Sequence, residues 1–126
     1  MIFSIFANAS YSEMTGSLAG YGRPKGSIET SLSSDGSTLT IKVVGRFDFS
    51  LHEAFQRAYE THGKPGMSYV IDLYATDYLD SSGLGMLLLM RENVGGERAD
   101  IRLTGGSEQI QKNLKIAKFN LLFPQL

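Results

Sequence analysis

The chain opens on an apolar burst, Ile2-Phe3-Ser4-Ile5-Phe6-Ala7, and continues through a Ser-, Gly- and Tyr-rich stretch to Gly22-Arg23-Pro24-Lys25-Gly26. Regular patterning begins at Ser27. Ile28 to Leu32 alternates weakly, Ser33 to Ser37 carries turn chemistry around Asp35-Gly36, and Leu39, Ile41 and Val43 alternate with Thr40, Lys42 and Val44. Two such runs flanking an Asp-Gly turn predict a β-hairpin. Gly45-Arg46-Phe47-Asp48-Phe49 is then expected to leave the sheet. Ser50 and Glu53 have the spacing of a capping box, and Ala54, Phe55, Ala58 and Tyr59 recur at helical spacing behind it. This predicts a first helix, stopped at His62-Gly63-Lys64-Pro65-Gly66.

Tyr69-Val70-Ile71-Asp72-Leu73 is nearly continuous in apolar character, the pattern of a strand covered on both faces. A loop with Asp77 and Asp80 follows, and Leu84 to Val94 form a second helix ended by Gly95-Gly96. Ala99 to Thr104 predict another strand. Ser107 is placed to cap a third helix in which Ile110, Leu114 and Ala117 share a face. Glu108 lies early in it and Lys112, Lys115 and Lys118 lie late, as the helix dipole favours. The apolar tail from Phe119 to Leu126, broken by Pro124, fits a short edge strand or a docked end. The order is ββαβαβα with a possible last strand, which predicts an α/β fold: one sheet of four to five strands with helices packed against it.

Length and composition narrow the function. With 126 residues, the chain suits one domain, here residues 27–126 preceded by a leader at 1–26. A hydrophobic share of 42% supports a packed core and excludes a disordered tail. The net charge of −1 offers no basic stripe, so nucleic acid is not an expected partner. The absence of cysteine removes disulfide frameworks, zinc ribbons and thiol nucleophiles together. No apolar run approaches the roughly 20 residues of a membrane span, so membrane insertion is not expected. The leader lacks a Lys or Arg before its apolar burst, and Ser4 interrupts the burst, so export is not expected either. A cytoplasmic monomer is the resulting expectation.

The informative stretch is Asp80-Ser81-Ser82-Gly83-Leu84-Gly85, between a strand-and-loop and a helix. A serine there is first of all an N-cap. Gly83 and Gly85 would leave the first turn bare, so that a phosphate on Ser82 could reach the amides of Gly83, Leu84 and Gly85. Such a group adds about −1.5 to −2 charges. Projection at 100° per residue places Leu84, Leu87, Leu88, Met90 and Val94 on one broad face and Met86 and Leu89 opposite. A helix that is apolar nearly all round is sandwiched or meets a partner, and Met86 beside Leu89 suits an adaptable docking surface. Hydrolysis by Ser82 with His52 or His62 is disfavoured, because both histidines fall in or just after the first helix and no Gly-x-Ser-x-Gly elbow surrounds the serine. Neither a catalytic centre, a cofactor nor a metal site is expected.

The run Asp80-Ser81-Ser82-Gly83-Leu84-Gly85-Met86-Leu87-Leu88, after Tyr69-Val70-Ile71-Asp72-Leu73, resembles the STAS domain of bacterial anti-sigma factor antagonists. Gly45-Arg46-Phe47-Asp48, Gly95-Gly96, Ile101-Arg102-Leu103 and Leu121-Leu122-Phe123 fit the same pattern, so the resemblance spans about Ser27 to Leu126. It implies a STAS fold and a partner-switching role. The unmodified domain would bind an anti-sigma factor that doubles as a serine protein kinase, release it once phosphorylated, and regain binding through a serine phosphatase. By position Ser82 matches the family's phosphorylated serine, with Ser81 the secondary acceptor. Asp48, Asp80, Ser81, Gly83, Gly85, Met86 and Leu89 are the expected partner-binding residues. The rival implication is an unphosphorylated STAS scaffold subunit, for example of a lipid-transport complex. Truncating the chain at Gly26 is expected to leave the domain folded, and loss of the cooperative melting transition would show the leader to be structural.

Overall fold

The computed structural model describes residues 25–123. The expectations for the leader before Lys25 and for the last three residues lie outside the described residues. Within those described, five strands and three α-helices follow one another: β1 (Ser27–Leu32), β2 (Thr38–Phe47), α1 (His52–His62), β3 (Ser68–Asp72), β4 (Thr76–Leu79), α2 (Ser81–Asn93), β5 (Asp100–Thr104) and α3 (Glu108–Ile116). The hairpin forms as predicted, with Asp35 accepting hydrogen bonds from Ser33, Ser37 and the Ser37 amide to hold its turn. The sheet is mixed. β1 runs antiparallel to β2, while β2–β3 and β3–β5 are parallel, giving the order β1-β2-β3-β5.

β2 is the spine. Its first half pairs with β3 from Thr38 to Lys42, and its second half continues past the end of β3 to pair in parallel with β4. Gly45 to Phe47, expected to leave the sheet, therefore stay in it, and the loop after β3 contains a strand that the sequence did not reveal. The reason is local: Thr76 donates its hydroxyl to the Val43 carbonyl (2.7 Å) and Gly45 donates its amide to the Ala75 carbonyl (2.9 Å), which closes the gap beside β2. The β2–β4 register shifts between Gly45 and Arg46, leaving Asp77 exposed at the irregularity.

Along β2, β3 and β5 buried residues alternate with half-buried or exposed ones. The helices therefore cover one face of the sheet, and the near-continuous apolar run at β3 is half-exposed at Val70 rather than covered on both sides. The core gathers Leu39, Ile41, Val43, Ile71, Leu73, Ile101 and Leu103 from the strands with Phe55, Leu87, Met90, Ile110 and Leu114 from the helices. An aromatic row, Phe47–Phe55–Tyr59, with centroids 5.2 and 5.8 Å apart, braces α1 against the end of β2.

Helix ends account for two further differences. The capping box at Ser50 does not form. Asp48 caps a 3-10 turn (Phe49–Leu51) instead, and Ser50 donates to it. Ser107 does cap α3, through the Ile110 amide. Ile110 and Leu114 are buried there, but Ala117 lies beyond the helix and is exposed, because Lys118 turns left-handed at φ 61°. The described part of the tail is a docked end rather than a strand: Phe119 and Phe123 are buried and stacked, their centroids 5.4 Å apart. No helix of the described residues is long and apolar enough to cross a membrane.

α2 lies tight against the end of β2 at Gly83. A Cβ there would lie 2.5 Å from the Phe47 carbonyl oxygen and 2.6 Å from Leu79 Cδ1, whereas a Cβ at Gly85 meets nothing within 4 Å. Gly83→Ala is thus expected to destabilise the fold by about 1–3 kcal/mol through overpacking against backbone. Gly85→Ala should stabilise it by up to about 1 kcal/mol through helix propensity. Urea melts of the two variants check this, and equal midpoints would contradict the packing.

Candidate phosphorylation and docking site

Parallel strands β2 and β4 both end at the same rim, β2 at Phe47 and β4 at Leu79, and each is followed by an aspartate that starts a helical turn. Asp48 adopts extended backbone and its carboxylate accepts from the Ser50 amide (3.0 Å) and hydroxyl (2.5 Å). Asp80 repeats the arrangement at the head of α2. Its Oδ1 accepts from the Ser82 amide (3.0 Å), the Gly83 amide (3.1 Å) and the Ser82 hydroxyl (2.6 Å). Asp80, not a serine, is therefore the N-cap. An aspartate satisfies orphan amides and also places a negative charge at the positive end of the helix dipole.

This changes the phosphate geometry expected from the sequence. The Gly83 amide is taken by the Asp80 carboxylate and the Leu84 amide by the Asp80 carbonyl (3.1 Å). A phosphate on Ser82 would find the head of the helix occupied by a carboxylate of its own sign. It would have to project outward.

Arg46 joins the two aspartates. Its guanidinium pairs with Asp48 (Nη2–Oδ2 3.1 Å, Nε–Oδ2 3.1 Å) and lies 4.2 Å from the centroid of the Tyr78 ring, across the β2–β4 register pair. The Tyr78 hydroxyl in turn points at Asp80 Oδ2 from 3.5 Å. Burial works to raise both carboxyls, but their hydrogen bonds outweigh it. Ser50 and Arg46 hold Asp48 below its ordinary value, and Ser82, Gly83 and Tyr78 do the same for Asp80. Both are anionic at neutral pH.

The structure brings Asp80, Ser81, Ser82 and Gly85 together at an accessible helix head, with Ser81 and Gly85 exposed and Ser82 half-buried. Two expected partner-binding residues are not at the surface. Gly83 is buried against the Phe47 carbonyl, and Met86 is only 5% exposed within the core. The phase of α2 is the cause. With Gly83 facing β2, Met86, Leu87 and Met90 face inward, so the outward apolar pair is Leu88 and Leu89, at 40% and 43% exposure. Leu88, assigned inward from the sequence, takes the place of Met86. Phe49 was missed altogether. It is 67% exposed on the 3-10 turn after Asp48 and stacks on His52, centroids 5.1 Å apart. A bulky aromatic directly after an Asx-type cap was the available signal for it.

The pH dependence follows from the caps. Asp80→Ala should cost about 1 kcal/mol at neutral pH, the usual worth of an N-cap. The folded value of this carboxyl lies below its unfolded value. Its contribution is therefore complete above the ordinary carboxylate range and is lost as pH falls through the lowered folded value. Urea midpoints of wild type and variant should converge in strong acid, and a gap that persists there would contradict the capping role.

Comparison with known proteins shows the family of the chain. The family model described as "Mlab, STAS domain" matches residues 30–124. A STAS-domain containing protein of Pseudomonas aeruginosa (strain UCBPP-PA14) is 50% identical over 91 residues, covering 72% of this chain and 90% of that protein. In fold, the chain is similar to the anti-sigma factor antagonist SpoIIAA in its unphosphorylated form (TM-score 0.65, 14% identity, 79% of this chain and 88% of that one). It is similar also to the Bacillus cell fate determinant SpoIIAA in the phosphorylated form (TM-score 0.57, 13% identity, 79% and 91%). With the match extending from β1 to the docked end, the chain belongs to the STAS domain family.

Proposed function

We propose that this STAS domain is a partner-switching regulator of the anti-sigma factor antagonist type, with no catalytic activity of its own. Unmodified, it binds an anti-sigma factor of the serine-kinase class through the head and outward face of α2. Phosphorylation of Ser82 by that partner releases it, and a serine phosphatase resets the cycle. The observation that carries this reading is the coincidence of a half-buried serine, its hydroxyl 2.6 Å from a carboxylate, with an exposed leucine pair on the same helix. Ser81, Gly85 and Leu89 serve the docking surface, joined by Leu88 and Phe49, while Asp48 lines its edge and Asp80 caps the helix. The protein works as a cytoplasmic monomer.

The switch needs no refolding. A group of about −1.5 to −2 charges on Ser82 sits beside Asp80 and in the middle of the docking surface, so bulk and repulsion act at once. Disrupting the centre of an interface costs about 2 kcal/mol or more, roughly 30-fold in Kd.

One observation favours a second reading, a constitutive STAS scaffold subunit such as that of a lipid-transport complex. The Asp80 carboxylate already fills the amide site at the head of α2, so the fold offers a phosphate no backbone partner there. Such a subunit would dock through the same leucines and leave Ser82 unmodified.

Intact-mass analysis of the chain from its own cells, with peptide mapping across Tyr69 to Arg91, separates the two. The switch predicts phosphate on Ser82 and a Ser82→Asp variant that captures a kinase-like partner about 30-fold more weakly. An unmodified Ser82, with unchanged capture by the variant, would establish the scaffold.

A further inference from the structure

Three serines lie along the rim, and the structure treats them differently. Ser81 is exposed and is hydrogen-bonded through its side chain to no carboxylate among the described residues. Ser50 donates its hydroxyl to Asp48, but Asp48 is also ion-paired to Arg46 through two nitrogens. Ser82 donates its hydroxyl to Asp80 Oδ1 at 2.6 Å, and among the described residues no cation lies within ion-pairing distance of Asp80. Of the three, Ser82 is therefore a partly exposed residue whose hydroxyl is bonded to a carboxylate that no guanidinium or ammonium of the described residues neutralises.

We infer that Asp80 is the proton acceptor for phosphoryl transfer to Ser82, so that the substrate chain itself selects which serine is modified. The inference rests on the proposed switch and names what determines its site. The hydrogen bond points the hydroxyl proton into the chain and turns the oxygen lone pairs away from Asp80, toward an incoming nucleoside triphosphate. The Ser82 Oγ–P bond forms as the bond between the γ-phosphorus and the leaving nucleoside diphosphate breaks, and the hydroxyl proton passes along the existing hydrogen bond to Asp80 Oδ1. As Oγ bonds to phosphorus that proton becomes strongly acidic, so a carboxylate of low basicity receives it readily. Asp80 then returns the proton to water. The ester oxygen has lost its donor hydrogen, and the restored carboxylate faces a phosphate dianion. One side chain thus accepts the proton of the forward step and opposes its product.

Asp80→Asn is the discriminating variant, because asparagine caps a helix as well as aspartate but is not a base. The full-length chain and the variant are incubated with γ-phosphate-labelled ATP in an extract of the source cells, over a range of chain concentrations, and label is mapped to Ser50, Ser81 and Ser82. The expected result is label on Ser82 alone in the wild type. In the variant the maximal rate should fall about a hundredfold or more, with the half-saturating chain concentration unmoved and the melting temperature lowered only by the loss of the carboxylate charge at the helix head. Label on Ser82 at the wild-type maximal rate in the variant overturns the inference and leaves the switch standing. A raised half-saturating concentration at an unchanged maximal rate overturns it too, because Asp80 would then act through docking. A wild-type chain that takes no label on Ser82 overturns the switch and the inference together.

Discussion

The first turn of α2 lies against the Phe47 carbonyl, and the phase of the helix follows from that contact. Only a residue without a side chain fits where a Cβ would lie 2.5 Å from a backbone oxygen, so Gly83 must face β2 and every later position is set by rotation from it. Met86, Leu87 and Met90 then enter the core, while Gly85, Leu88 and Leu89 turn outward. The other side of this approach is equally constrained. Phe47 is the last residue of β2, paired with Leu79 of β4 and braced by Phe55 of α1, which packs in turn on Tyr59. At its far end α2 is tied again, where Asn93 donates to the Tyr59 hydroxyl at 3.0 Å. A helix held at both ends against one aromatic row presents its outward face at a fixed angle.

Most of the architecture was legible because it is carried by strong local signals. Alternation marked β1, β2 and β5, the Asp35-Gly36 turn marked the hairpin, and Ser107 marked the start of α3. β4 was invisible for a physical reason. It is four residues long, its apolar positions are few, and it exists because Thr76 and Ala75 bond to the second half of β2. A strand made by its partner's unpaired edge leaves little trace in its own composition. The same holds for the cap at Ser50. The local pattern offered the Ser50 hydroxyl as acceptor for a later amide, but Asp48 lies two residues earlier and takes up both the Ser50 amide and its hydroxyl, so the turn starts at the carboxylate.

The residues that form the helix head could be read from sequence, although Asp80 rather than a serine caps it, whereas the outward face of the helix could not. Asp80, Ser82 and Gly85 occupy a turn whose geometry follows from residue type. The docking face depends on the phase of a helix in which nearly every residue from Leu84 to Met90 is apolar. Hydrophobicity spread evenly round a cylinder has no direction, so periodicity could not decide between Met86 and Leu88. The deciding fact was the close approach at Gly83, which is tertiary. Phe49 belongs to the same class: its exposure follows from the Asp48 turn.

The two aspartates are alike in form and differ in their electrostatic surroundings. Each follows a strand, starts a helical turn and accepts the hydroxyl of the serine two residues on. Arg46 neutralises the first while resting against the Tyr78 ring, which commits this guanidinium to the Asp48 side of the rim. Among the described residues Asp80 is left with neutral donors, amides and hydroxyls. Under the proposed switch this asymmetry is what makes the signal strong. A phosphate added at Ser82 meets a carboxylate that shares no ion-paired cation with it and a helix head whose amides are already bonded. It has no favourable place to fold into, and its charge remains at the surface where a partner must sit. In that switch a helix with a preformed apolar face needs no conformational change to alternate between binding and release, because the partner would respond to the charge at its head.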